Sequence, residues 1–175
     1  MGVEHFVNET GHITRLRAQL LTGQAPTPLQ LLTAWTRSGN PELLMPQERW
    51  IDLFNNAHMP VPDHPVTVYR GAHVDEWTYQ RFSMSWTTSR QAAVIFARQR
   101  PEDRTVLTAT APVGAILADC DAVYARAREQ GLRLSTAEPE VIVDPLLITD
   151  VRQVPERSRT DRLGIESIIN RRRLL

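Results

Sequence analysis

Three prolines within six residues, Pro60, Pro62 and Pro65, interrupt the sequence and leave the stretch from Met59 no regular structure but a connector. The apolar pattern differs on its two sides. Before it, Ile13, Leu16, Leu20 and Leu21 repeat at helical spacing up to Gly23. Thr27-Pro28 then reads as an N-cap followed by proline at the first helical position. Leu31, Leu32 and Trp35 carry an apolar stripe on towards Gly39. A further helix starts near Pro46 and bears Trp50, Ile51, Leu53 and Phe54. The even spacing of these stripes favours completing the core over covering a cleft or steering a ligand.

After the prolines the period becomes two. Val66–Arg70 alternates β-branched residues and stops at Gly71, and Phe82–Thr88 is strand-like. A polar helical stretch passes through Glu76 and Trp77, and Ser89 caps a short helix with Ala92, Ala93, Ile95 and Phe96. Strands are predicted over 105–111, 114–119, 140–143 and 146–154, with a helix over 122–130. Helices first and a mostly antiparallel β-rich body afterwards make the fold class α+β. Along the chain this gives a helical part at 1–62, a β-rich core at 63–154 and a basic tail at 155–175, within a single domain.

Composition narrows the chemistry. The 175 residues carry no net charge, and all 20 basic residues are arginine. Without lysine there is no P-loop lysine, no Schiff base and no lysine general base. A GC-rich genome accounts for that absence, as does escape from lysine modification. The single Cys120 excludes a disulfide framework, and the five histidines lack metal-ligand spacing, so no metal is expected. No apolar run has the length of a membrane span and no signal peptide is evident, so the expected location is cytoplasmic. Residues 151–175 hold seven arginines against three acids, a net +4 that balances −4 elsewhere. Arg171–Arg173 is either a solvated tail or a contact for an acidic partner such as nucleic acid.

Three short constellations carry chemistry. Arg70, at a strand end before Gly71, either pairs with a nearby acid or presents its donor fork to phosphate or carboxylate, and Gly71 permits close approach of a ligand to the backbone. In Ser85-Trp86-Thr87 the two hydroxyls share one face while Trp86 packs on the other, which makes the segment either an ordinary Thr-rich strand before a helix cap or a brace for a buried polar group. In Glu138-Pro139-Glu140 two carboxylates about 7 Å apart point the same way at the mouth of a strand. The pair is either an ordinary acidic loop or a division of labour in which one carboxylate stabilises a sugar oxocarbenium ion and the other acts as base.

In this order, VYRG (68–71), SWTTSRQAAVIFA (85–97) and EPEVIVDP (138–145) resemble the ADP-ribosyltransferase family. More narrowly, they resemble its Arg–Ser–Glu branch of arginine-modifying toxins, ectoenzymes and phage transferases. Where that branch has Ser-Thr-Ser, this sequence reads Ser85-Trp86-Thr87. The resemblance covers roughly residues 66–154. It implies two small, mostly antiparallel sheets flanking a cleft for NAD, which serves as co-substrate. By the same resemblance Arg70 holds the pyrophosphate or adjoining ribose, and the Gly71 backbone holds the nicotinamide carboxamide. Tyr69, Ser85, Trp86 and Thr87 complete the NAD-binding set. Ser85, with Thr87 in support, orients Glu140, the catalytic carboxylate, and Glu138 serves the acceptor. The expected reaction is mono-ADP-ribosyl transfer to protein arginine with release of nicotinamide. Transfer to nucleic acid and a non-catalytic NAD-binding or interaction module remain as alternatives, and no residue identifies an antitoxin.

Overall fold

The computed structural model describes residues 3–132 and 139–154, and residues 3–10 as backbone only. The chain runs α1 (Val3–Leu21), α2 (Pro28–Thr36), α3 (Pro41–Leu44), α4 (Gln47–Asn56), β1 (Val66–His73), α5 (Val74–Thr78), β2 (Ser85–Thr87) and α6 (Arg90–Ala97). It continues through β3 (Arg104–Ala111), a single 3-10 turn at Val113–Ala115, β4 (Ile116–Asp119), α7 (Cys120–Glu129), β5 (Glu140–Val143) and β6 (Thr149–Gln153). Local signals set most of these bounds. Thr27 and Gln30 form a reciprocal capping box with Pro28 in the first turn of α2, and the Ser89 hydroxyl accepts from the Ala92 N–H at the start of α6. Several elements depart from expectation: the strand expected from 114 starts at Ile116 after the 3-10 turn, the one expected over 146–154 covers only Thr149–Gln153, and α3 has no counterpart among the expected helices. β1 runs through Gly71 to His73 because it stays paired with β3 as far as Arg104, and only Ser85–Thr87 of the segment 82–88 finds strand partners.

The six strands form one sheet in the order β4-β5-β2-β1-β3-β6, and every pair is antiparallel. This corrects the expectation of two small sheets, for a reason visible at β2. Its three residues pair fully with β5, yet meet β1 only at Tyr69↔Thr87. That single pair is a seam joining a β4-β5-β2 half to a β1-β3-β6 half. Residues paired across an antiparallel ladder share a face. Tyr69, Thr87 and Glu140 therefore lie on one face, together with Gly71, Ser85 and Ile142, which stand two residues from them.

On that face the two halves have different covers. Helices α2, α4 and α7 lie over the β4-β5-β2 half, with α1 packed on α2, and there Leu31, Leu32, Trp35, Trp50 and Phe54 share a core with Met84, Leu117, Cys120 and Ile142. The aromatic trio is tightly set, with Trp35 edge-on to Trp50 at 5.1 Å and to Phe54 at 5.6 Å between ring centroids. Helix α6 covers the other half through Ala93, Ala97 and Val106. The opposite face carries a second core of Val68, Ala72, Trp86, Leu107, Ala109, Val141 and Val143.

α6 comes so close to β1 that a Cβ on Gly71 would stand 2.6 Å from the Ala93 carbonyl oxygen and 2.7 Å from the Ala97 nitrogen. Both atoms are helix backbone and have little room to yield. The helix thus supplies a reason for the missing side chain at Gly71 that needs no ligand. Gly71→Ala is expected to lower stability by about 2 kcal/mol, the usual scale of overpacking, read as a lower urea midpoint with unchanged m-value.

Candidate active site

A cleft opens on the shared face above the seam, between α6 and the C-terminal end of α2. Its volume is about 320 Å³, and its lining includes Thr36, Tyr69, Arg70, Gly71, Ser85, Thr87, Phe96 and Glu140. The two sides differ in chemistry. Tyr69, Ala92, Ala93 and Phe96 make an apolar wall, while Ser85, Thr87 and Glu140 make a polar one. Such a combination suits a ligand with a flat ring and a few hydrogen-bonding groups.

Glu140 opens β5 on the polar wall. Ser85 Oγ donates to Glu140 Oε1 at 2.5 Å, and the Trp35 indole Nε1–H donates to the same oxygen at 3.2 Å. Thr87, which also faces the cleft, does not bond the carboxylate. Its hydroxyl donates to the Pro139 carbonyl at 2.7 Å and accepts from the Ser89 N–H at 3.0 Å, tying the approach to β5 to the start of α6. Thr87 thus supports Glu140 through the backbone of the preceding residue. Beneath the carboxylate lies Cys120. Burial, followed by the charges of Glu140, Asp119 and Asp121 and a hydrogen bond to Glu140, holds this thiol well above the usual thiol range. It is a protonated core group and no nucleophile.

Arg70 borders the cleft at the seam, from a position on β1 whose neighbours Val68 and Ala72 belong to the core of the opposite face. Its Nε and Nη2 donate to the two oxygens of Glu76 at 2.9 and 3.0 Å, and its Nη1 donates to the Ser85 carbonyl at 2.6 Å. The arginine is therefore paired with an acid, as strand-end arginines commonly are. These contacts occupy three of the five guanidinium donors and leave two. A second cavity of about 510 Å³ adjoins Arg70 on its Glu76 side and is bordered also by Arg81 and Ser83.

Sequence reasoning singled out Tyr69, Arg70, Gly71, Ser85, Thr87 and Glu140, and all six line one cleft. Trp86 touches it too, but its ring is 2% exposed and its indole N–H donates to the Ser83 carbonyl, so the side chain belongs to the core of the other face. Glu138 lies outside the described residues. Trp35, Thr36, Glu76 and Phe96 stand at the site without having been singled out for it. Glu76 had one usable signal, an acid six residues beyond an arginine across a short turn. Trp35 had none, since its partner is 105 positions away.

Among the described residues no group of three or more His, Cys, Asp or Glu side chains could hold a metal ion, and no helix is long and apolar enough to cross a membrane. Compared with known proteins, the chain matches no family model, no curated protein and no solved structure.

Burial, the largest single influence, would raise the pKa of Glu76, and the hydrogen bonds and charge of Arg70 oppose it. With the N–H groups of Ser83 and His73 also donating, the pKa falls below the ordinary 4.5. A carboxylate depressed on folding adds stability that is complete above its unfolded pKa and disappears as pH falls through its folded one. Glu76→Gln, which cannot titrate, should cost roughly 2 kcal/mol at neutral pH. Thermal melts of both proteins should show that gap closing as the pH is lowered below 4.5.

Proposed function

We propose that the chain is a mono-ADP-ribosyltransferase that splits NAD, releases nicotinamide and passes ADP-ribose to an arginine of a protein acceptor. On this reading its β-rich part is an ADP-ribosyltransferase-like core and the seam between the sheet halves is the NAD cleft. The observation that carries the proposal is the 2.5 Å hydrogen bond from Ser85 to Glu140 in a cleft that Arg70 and Gly71 also line. These residues make up the Arg–Ser–Glu set of the family that the sequence resembles.

The chemistry follows from what each group offers. Glu140 accepts a hydrogen bond from the nicotinamide ribose, and its charge stabilises the cation that forms at C1′. The bond from C1′ to the nicotinamide nitrogen breaks, and its electron pair leaves with the nicotinamide. A guanidine nitrogen of the acceptor then attacks C1′ and gives up a proton. Arginine is fully protonated at neutral pH, so it needs a base, and Glu138 takes that role. Ser85 fixes the orientation of Glu140, so no reorganisation is needed as charge develops. On this reading Arg70 would hold the pyrophosphate with the two donors it does not spend on Glu76 and Ser85, and the apolar wall of Tyr69 and Phe96 takes a flat ring. Nothing in this scheme calls for a metal.

The test is labelled NAD incubated with the protein and a cell lysate. Label should pass to material sensitive to protease and resistant to nuclease. Glu140→Ala should lose at least about 100-fold, the scale of removing a transition-state electrostatic partner. Glu138→Ala should still release nicotinamide but transfer no label. A wild-type protein that neither binds NAD nor releases nicotinamide sinks the proposal, and label sensitive to nuclease would move the acceptor to nucleic acid.

A further inference from the structure

Glu140 accepts from Ser85 and from Trp35 and has the Cys120 thiol hydrogen-bonded beneath it, and of these three only Trp35 comes from outside the β-rich part of the chain. The second donor, Trp35, comes from α2 in the helical part, whose evenly spaced apolar stripes favour a place in the core. We propose that Trp35 is a positioning residue for Glu140, and that the helices preceding the proline connector thereby complete the active site. This inference rests on the reading of Glu140 as the catalytic carboxylate.

The geometry favours a dedicated contact over an incidental one. Trp35 is 3% exposed, so its indole N–H cannot turn to water and must find an acceptor inside the protein. Glu140 Oε1 is that acceptor, at 3.2 Å. The ring cannot easily swing away, because Trp50 and Phe54 of α4 meet it edge to face. Trp50 is fixed in turn by its own N–H, which donates to the Pro41 carbonyl at 3.0 Å. The indole therefore presents its donor from a rigid mount.

Ser85 and Trp35 both donate to Oε1, one from the sheet and one from the helical layer. Two donors arriving at one oxygen from different elements restrict rotation about the last side-chain bond, which a single serine would leave free to swing. Trp35 touches neither NAD nor the acceptor in this scheme, so it acts through Glu140. Thr36, the next residue, does line the cleft, and it shares a 3.2 Å hydrogen bond with the Tyr124 hydroxyl of α7. The end of α2 is thus anchored on both sides of the contact.

The test compares wild type with Trp35→Phe, which keeps an aromatic body against Trp50 and Phe54 but removes the donor. For nicotinamide release kcat should fall about tenfold, the scale of one hydrogen bond to a charged group, with KM for NAD unchanged. An unchanged kcat in an active enzyme overturns the inference while leaving the proposed function standing. A second readout does not depend on turnover. The indole N–H signal lost from the nitrogen–proton NMR spectrum in Trp35→Phe identifies Trp35. In Glu140→Gln that signal should move upfield, because a neutral acceptor draws the proton less strongly than a carboxylate, while the signals of Trp77 and Trp86 hold still. A Trp35 signal indifferent to Glu140→Gln overturns the positioning role whatever the enzyme does. Failure of the proposed function would show itself separately, as wild-type protein that leaves NAD intact.

Discussion

Strand β2 has only three residues, and it must serve both β5, which it pairs along its whole length, and β1, which it meets at one position. A single pair is a weak joint between two halves of a sheet. Arg70 reinforces it, since its side chain comes from β1 and one of its donors ends on the Ser85 carbonyl of β2. Glu76 holds the same guanidinium by both carboxylate oxygens, and it also accepts from the N–H groups of His73 and Ser83. One carboxylate thus ties the end of β1, the start of α5 and the approach to β2 to one cation. Remove that tie and the seam loses the contact that fixes Ser85 relative to β1.

The cleft follows from this joint. Because β1 and β2 part beyond Tyr69↔Thr87, the helices covering the two halves do not meet, and α6 and α2 leave a gap above the seam. Gly71 lets α6 settle directly on β1, which sets one wall. The shared core of α2, α4, β5 and α7 sets the other, and it brings Trp35 to Glu140. A buried, neutral Cys120 beneath the carboxylate keeps the floor of the site from adding a charge of its own. The polar residues of the site are thus anchored to rigid elements, the arrangement on which electrostatic stabilisation of a transition state depends.

Much of the local structure is legible in the sequence because its causes are local. The Thr27-Pro28 start of α2, the Ser89 cap of α6 and the alternation of β1 and β3 need only neighbours a few residues away. The site is legible in part for a similar reason. Ser85 and Thr87 share a face by strand periodicity, and Glu140 stands at the mouth of an apolar strand. The misreadings have a different origin. The expected stop at Gly71 fails because pairing with β3 carries the strand past it, and the length of β2 is decided by how many partners it finds. Trp86 borders the cleft, and its ring packs on the far side of the sheet, as strand alternation predicts.

By itself the sequence determined the change from helix to strand at Pro60–Pro65, the α+β class, the caps, and the candidate trio of Arg70, Ser85 and Glu140. These are consequences of period, backbone restriction and side-chain chemistry, which act over a few residues. Only the tertiary structure decided that the six strands join into one sheet, that Arg70 is bound to Glu76, and that an indole from the first helices reaches the carboxylate of β5. Each depends on distant segments meeting at hydrogen-bond range, and Trp35 and Glu140, 105 positions apart, become neighbours only when α2 packs against the strand that bears the acid.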